Sequence, residues 1–254
     1  MIRKLILLAF ILGLSQSVWA VPALVVRCPS SATLNGGNNS GTTVTCIFPS
    51  NTAGNMLFIV GIARVSGATL TIADTATNTW TTVQADVSAS CGANSCTTHT
   101  WAAYNNKVSA GSNTVTLTSN TSANDLYVGG AEYSGLDTGT ALDQTVSATG
   151  NSTTPNSGNV TTTVSSELFI GVSIGGDGSV TLSAGTNIAW AMEQKTVNGT
   201  VSPGWEDFIA SSMQTVSANF TYSAGTNWRS TIFTFKVPSA AGGGASKKKK
   251  VLFY

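Results

Sequence analysis

Apolar and polar residues along this chain mostly alternate with a period of two, and where they do not, the runs are continuously apolar and short. Asn55 to Val65 is the longest such run; its branched residues predict a strand buried on both faces near the centre of a sheet. Asn113 to Thr118 sends Val115 and Leu117 one way and threonines the other. Glu167 to Ile174 stacks Leu168, Ile170, Val172 and Ile174 on one face. Further strands are predicted at Thr42 to Phe48, Thr69 to Asp74, Thr79 to Val87, Thr97 to Asn105, Leu126 to Tyr133, Val160 to Val164, Val180 to Ser183, Ile188 to Gln194, Asp207 to Ser211, Ala218 to Tyr222 and Ser230 to Val237. No segment has a helical period. About fourteen short, regularly spaced strands predict an all-β fold, an antiparallel β-sandwich of jelly-roll type, and not βαβ winding.

Turn chemistry agrees with this reading. Ser109-Ala-Gly-Ser-Asn113, Ser183-Ala-Gly-Thr-Asn187 and Ser223-Ala-Gly-Thr-Asn227 are nearly one pentapeptide, with Gly and Asn supplying left-handed backbone between strands. Their unequal spacing argues against a solenoid. Asn198-Gly199 is a further hairpin signal.

Composition sharpens the class. Of 254 residues, 42% are apolar and only 9% charged, and roughly a quarter are Ser or Thr. That leaves little material for solvent-facing helices, and the apolar content excludes wholesale disorder. Arg3 and Lys4 precede an apolar run from Leu5 to Leu14, and small residues lead to Ala20: a secretory signal peptide over 1–20. The run is too short to span a membrane, and no later stretch is long and apolar enough to do so. One sandwich domain is expected over 21–238. A flexible tail over 239–254 follows, rich in Gly and Ala and carrying Lys247 to Lys250. Without leader and tail the body keeps six basic residues against eleven acidic ones, so the formal +1 of the whole chain conceals a mildly acidic domain.

Cys28, Cys46, Cys91 and Cys96 form an even set suited to an oxidising compartment. Three pairings are open, with Cys28–Cys46 and Cys91–Cys96 favoured because each pair encloses a turn-rich segment between strands. Thiol ligation of zinc is disfavoured by the Cys91/Cys96 spacing and by the presence of a single histidine.

Candidate chemistry is sparse. His99 is the only possible base for a Ser/His/Asp site, and an exposed strand histidine is the plainer reading. No Gly-x-Ser-x-Gly elbow and no phosphate-cradling Gly-x-x-x-x-Gly-Lys occurs. No catalytic residue is assigned. Asp74, Asp86, Glu132, Asp137, Asp143, Glu193, Glu206 and Asp207 could be paired only by folding, and Glu206 and Asp207 point to opposite faces of a strand. Asp74 and Asn78 could offer oxygens to a structural Ca²⁺, or brace a turn. Trp80, Trp101, Tyr104, Trp205 and Trp228 are candidates for stacking on sugar rings, against the alternative of core packing.

Gly54-Asn55-Met-Leu-Phe-Ile-Val-Gly61, Ala73-Asp-Thr-Ala-Thr-Asn-Thr-Trp80, Trp101-Ala-Ala-Tyr104, Ala110 to Leu117, Glu132-Tyr-Ser-Gly-Leu-Asp137 and Ala141-Leu-Asp-Gln144 carry a resemblance. Over roughly Val25 to Val237 the chain resembles a widespread group of bacterial secreted β-sandwich domains found in surface and extracellular matrix proteins. The resemblance implies architecture and an extracellular setting; it brings no catalytic residues. The Cys91 to Cys96 insertion and the lysine tail depart from it.

The expectation is a non-catalytic secreted or cell-surface module for adhesion, matrix or carbohydrate binding. Its partner would be an extracellular polysaccharide or cell-wall polymer. A glycan-active hydrolase or lyase using dispersed carboxylates is the alternative, and a self-associating subunit of a surface fibre the second. Nucleic acid is not an expected partner, and no cofactor is expected beyond the Ca²⁺ considered above.

Overall fold

Phe58 and Ile170, in the middle of the two most apolar runs, sit in the central strands of the two largest sheets. The computed structural model describes residues 21–239, apart from 32, 38–40, 92, 104–107, 176–179 and 197–200. In chain order the strands are β1 (Ala23–Cys28), β2 (Asn35–Gly37), β3 (Gly41–Asn51), β4 (Met56–Ala63), β5 (Leu70–Asp74), β6 (Thr81–Cys91), β7 (Asn94–Ala103), β8 (Gly111–Ala123) and β9 (Leu126–Ser134). They continue with β10 (Leu142–Ser152), β11 (Val160–Thr161), β12 (Glu167–Gly175), β13 (Leu182–Ser183), β14 (Ala191–Lys195), β15 (Gly204–Ala210), β16 (Thr215–Val216), β17 (Thr221–Tyr222) and β18 (Thr226–Lys236). All pairings are antiparallel, and no described residue is helical.

The strands form four layers. The outer N-terminal layer is β3-β8-β5; behind it lies β1-β9-β4-β7-β6, with β2 also paired to β9. The third layer is β10-β18-β12-β15-β14, and the short pairs β11-β16 and β13-β17 cover its far side. Each gap holds an apolar core. Leu57, Ile59, Val115, Leu117 and Val128 fill the first, and Phe169, Leu182, Phe220 and Ile232 the last. Phe58, Tyr133, Leu168, Ile170, Trp205, Phe233 and Phe235 fill the middle one. β4 and β12 are therefore buried along their whole length, which is why their sequences read as continuous apolar runs. A single sandwich over 21–238 would have two layers; this chain stacks two sandwiches through their larger sheets.

The halves repeat each other. Replacing β1, β9, β4, β7 and β6 by β10, β18, β12, β15 and β14 turns the second layer's order into that of the third. Register supports the match: Ile59 pairs with Trp101 and Gly130, while Gly171 pairs with Glu206 and Ile232. Trp101 pairs in turn with Thr82 and Glu206 with Met192, each two residues after a tryptophan, Trp80 or Trp190. Both indoles are anchored alike, Trp80 Nε1 donating to Asp74 at 3.0 Å and Trp190 Nε1 to Asn187 at 2.9 Å.

Most predicted strands are found, with β4 and β12 matching closely and β8 running beyond the expected Asn113 to Thr118 at both ends. β1, β2, β10 and β16 go beyond the expected set. β1 and β10 are edge strands, partly exposed, with weak apolar alternation. The Cys28–Cys46 and Cys91–Cys96 disulfides form as favoured. The signal peptide, the lysine tail, Asn198-Gly199 and Tyr104 lie outside the described residues.

Phe58 meets Trp205, Phe233 and Phe235 with ring centroids 5.8, 6.0 and 6.3 Å away, so one N-terminal side chain is held by three C-terminal rings. Phe58→Ala is expected to cost about 3–5 kcal/mol. Urea denaturation followed by tryptophan fluorescence should show both halves destabilised in one transition. The Cys28–Cys46 ring spans 18 residues and the Cys91–Cys96 ring 5. Replacing the first pair by serine should cost about 3 kcal/mol and the second about 2, read as the shift in urea midpoint.

Candidate functional site

The aromatic candidates do not make one exposed platform. Trp205 is fully buried between the two large sheets, its Nε1 donating to Gln194 Oε1 at 2.9 Å. Trp101 is buried in the first core, and Trp228 in the last, with its Nε1 donating to Ser152 at 3.0 Å. Trp80 is half-buried against the first core. In a chain with so little charge, these rings are the largest apolar surfaces available, and four stacked layers bury them.

Asp74 and Asn78 meet, as a turn brace. Asp74 Oδ1 accepts the Asn78 backbone N–H at 2.9 Å, and Oδ2 accepts Asn78 Nδ2 at 2.8 Å and Trp80 Nε1 at 3.0 Å. Asn78 Oδ1 accepts the Ser109 N–H at 2.7 Å. The donor set is thus satisfied by the turn itself, and among the described residues no group of three His, Cys, Asp or Glu side chains could hold a metal ion.

The same holds for the other acids. Glu132 receives Asn51 Nδ2 at 3.0 Å, the Thr52 N–H at 2.9 Å and Asn55 Nδ2 at 2.5 Å, fastening the turn before β4 to β9. Asp125 pairs with Arg64, Asp143 accepts Thr163 at 2.7 Å, and Asp137 caps its own turn through Gly139 and Thr140. Glu167 accepts the Val164 N–H at 3.3 Å, and burial pushes it up to about 7.

Glu206 and Asp207 do point to opposite faces. Glu206 is buried toward the outer core, where Oε2 accepts the Gly185 N–H at 2.8 Å and Oε1 has no hydrogen bond. Burial pushes it up to about 9, so it is a neutral acid at pH 7. Asp207 faces the N-terminal half, where Tyr133 donates to it at 2.6 Å. Burial and the adjacent Glu193 carboxyl raise Asp207 well above the usual carboxylate range. Arg27 Nε donates to Glu193 at 2.5 Å and closes this cluster across the two halves.

His99 is buried, contrary to the exposed strand histidine expected, because the ring lies flat on Trp101, with centroids 3.9 Å apart and planes within 8°. Nδ1 is 3.0 Å from Asp86 Oδ1 and Nε2 is 3.2 Å from Thr82 Oγ1. Asp86 Oδ1 also accepts the Leu70 N–H at 3.1 Å, tying β5 to β6. Burial lowers the His99 pKa despite the opposing carboxylate, so the ring is neutral at pH 7. Sequence reasoning found the histidine but not its partners, because the separation of Thr82, Asp86 and His99 is closed only by the β6–β7 hairpin.

A groove of about 480 Å³ lies at the junction of the halves, lined by Ser88, Ala89, Ser90, Thr149, Gly150, Asn227 and Trp228. Its lining has no charged side chain. Only Trp228 of the expected ligand residues borders it.

Glu206, Glu167 and Asp207 keep protons in the folded state that the unfolded chain releases near pH 4. Stability should therefore be highest in mild acid and fall as pH rises from about 4.5 to 9, Glu206 alone contributing a slope of about 1.4 kcal/mol per pH unit. His99 acts the other way, removing some stability as pH drops through about 6.5. Urea midpoints between pH 5 and 9 should show a shallower decline in Glu206→Gln than in the parent. Among known proteins, no family model, no curated protein and no solved structure matches this chain.

Proposed function

We propose that this chain is a secreted or cell-surface β-sandwich module for adhesion, matrix or carbohydrate binding, one that holds a glycan without cleaving it. The observation that carries the reading is the use of the acids: every carboxylate among the described residues is engaged by a partner within the protein, as a turn brace, an ion pair or a buried neutral acid. A glycosidase needs two carboxyl groups facing a substrate across several ångströms, and here the adjacent acids Glu193 and Asp207 are instead engaged by Arg27 and Tyr133 inside the fold. The two disulfides suit an oxidising, extracellular compartment.

We read each half as a jelly roll. Supporting this in the N-terminal half are the orders β1-β9-β4-β7 and β3-β8-β5, which resemble the two sheets of such a fold if β6 is taken to have swung across to lengthen the larger one. The junction groove is the ligand site this architecture supports. The groove is lined by polar but uncharged side chains, the hydroxyls of Ser90 and Thr149 among them, which suits a neutral polysaccharide.

Retention of the mature chain on insoluble neutral polysaccharides, read by depletion from solution, tests the reading. Binding should persist as salt is raised, because no charged group lines the groove, and Ser90→Trp, which fills the groove, should abolish it. Failure to bind any neutral or charged glycan on an array would overturn the proposal.

A further inference from the structure

Thr82 and His99, aligned with Asp86, stand at positions where the repeated half of the fold does without a hydroxyl and an imidazole. In the C-terminal half the positions matching Thr82 and His99 are Met192 and Gly204, in the same registers of the same sheet order. The scaffold is complete there without a hydroxyl or an imidazole at these two positions.

The order of the array is that of an activated nucleophile. A carboxylate only accepts, so Asp86 fixes the proton on Nδ1 and leaves Nε2 as the acceptor facing Thr82 Oγ1. The 3.0 and 3.2 Å separations lie within hydrogen-bond reach. Trp101 holds the plane of the ring by stacking. Thr82 is an exposed residue on β6, the edge strand of its sheet, while the base it faces is buried.

We propose that Thr82 is a reactive hydroxyl that accepts acyl groups from small activated esters, with His99 as general base and Asp86 as the positioning residue that sets its tautomer. Thr82 Oγ1 bonds to the acyl carbon and the carbon–oxygen bond to the leaving group breaks. The hydroxyl proton moves to His99 Nε2 and then to the departing oxygen. Water attacks the resulting acyl-Thr82 by the same route in reverse, regenerating the hydroxyl and releasing the acid. Thr82 stands on exposed surface, so small donors fit best and formation of the acyl adduct is the primary readout. This activity goes beyond the glycan-holding reading and does not depend on it.

The mature chain is incubated with p-nitrophenyl acetate, following nitrophenolate release and locating the acetyl group by peptide mass spectrometry. One acetyl group on the peptide containing Thr82 is expected. Thr82→Ser should retain it, while Thr82→Val and His99→Gln should slow its formation by about 100-fold. The rate should rise through an inflection below pH 6.5 and then level off, as required by a base whose pKa is lowered by burial. Acetylation confined to lysines, with a rate still climbing toward pH 10, overturns the proposal, as does labelling of Thr82→Val at the parental rate. Near-UV circular dichroism of each variant establishes that it is folded; were Thr82→Val and His99→Gln both to misfold, the adduct on Thr82→Ser and its pH profile decide the matter alone.

Discussion

Face-to-face packing of the two large sheets is the constraint on which the rest depends. Once β1-β9-β4-β7-β6 lies against β10-β18-β12-β15-β14, each of these sheets is covered on both sides, and its central strands have no solvent face. β4 and β12 must then be apolar throughout, and the facing sheets must come close. Gly129 shows how close: a Cβ there would lie 2.5 Å from Gln194 Oε1 of the other half. Polar groups caught in the gap must find partners in it. Gln194 does so completely, its Oε1 accepting Gly130 N–H at 3.1 Å and Trp205 Nε1 at 2.9 Å while Nε2 donates to the carbonyls of Pro29 and Ser31, both at 2.9 Å. Three of these hydrogen bonds, to Gly130, Pro29 and Ser31, cross between the halves and set their register, a specificity that the rings around Phe58 do not provide by themselves.

The low charge of the chain follows from the same geometry. Four layers leave fewer solvent-facing strand positions than two separate sandwiches would, and those that remain carry threonine and serine, whose side chains suit an extended backbone. The acids that are kept work locally: Glu132 gathers three donors from the turn preceding β4, and Asp74 gathers its own turn and the Trp80 indole. Such carboxylates shape loops, and their oxygens are occupied in doing so. Three others, Glu167, Glu206 and Asp207, are buried deeply enough to hold their protons to higher pH, which makes the folded domain less acidic than its composition implies.

Strand period, turn residues and cysteine spacing are local properties, and they made the all-β class, β4, β8, β12 and both disulfides legible. β10 was not, because an edge strand with one half-exposed face carries only Val146 and Ala148 as a weak apolar signal. The stacking of two sandwiches was hidden for a different reason. An outward face and a face covered by another sheet differ only in whether polar residues interrupt the run, and Phe58 reads the same whichever rings meet it. The site was legible in parts: His99 was visible as the only imidazole, but its burial against Trp101 and its alignment with Thr82 and Asp86 arise from the bulged β6–β7 pairing, which leaves no mark in the spacing of residues.

The repeat within the chain supplies a comparison that the sequence of either half alone does not. Where both halves use the same device, the fold is a sufficient explanation: Trp80 and Trp190 are each tied by the indole N–H to an acid or amide in the preceding turn, and each closes the same corner. Where they differ, packing alone does not dictate the choice. Trp101 is matched by Glu206, so one half stacks a ring on His99 at the place where the other buries a neutral acid against Gly185. The two solutions fill the same corner with opposite chemistry, one directed to the hydroxyl of an exposed residue and the other closed within the core. It is this asymmetry within a symmetric frame that separates the Thr82 face from the remainder of the hydroxyl-covered surface.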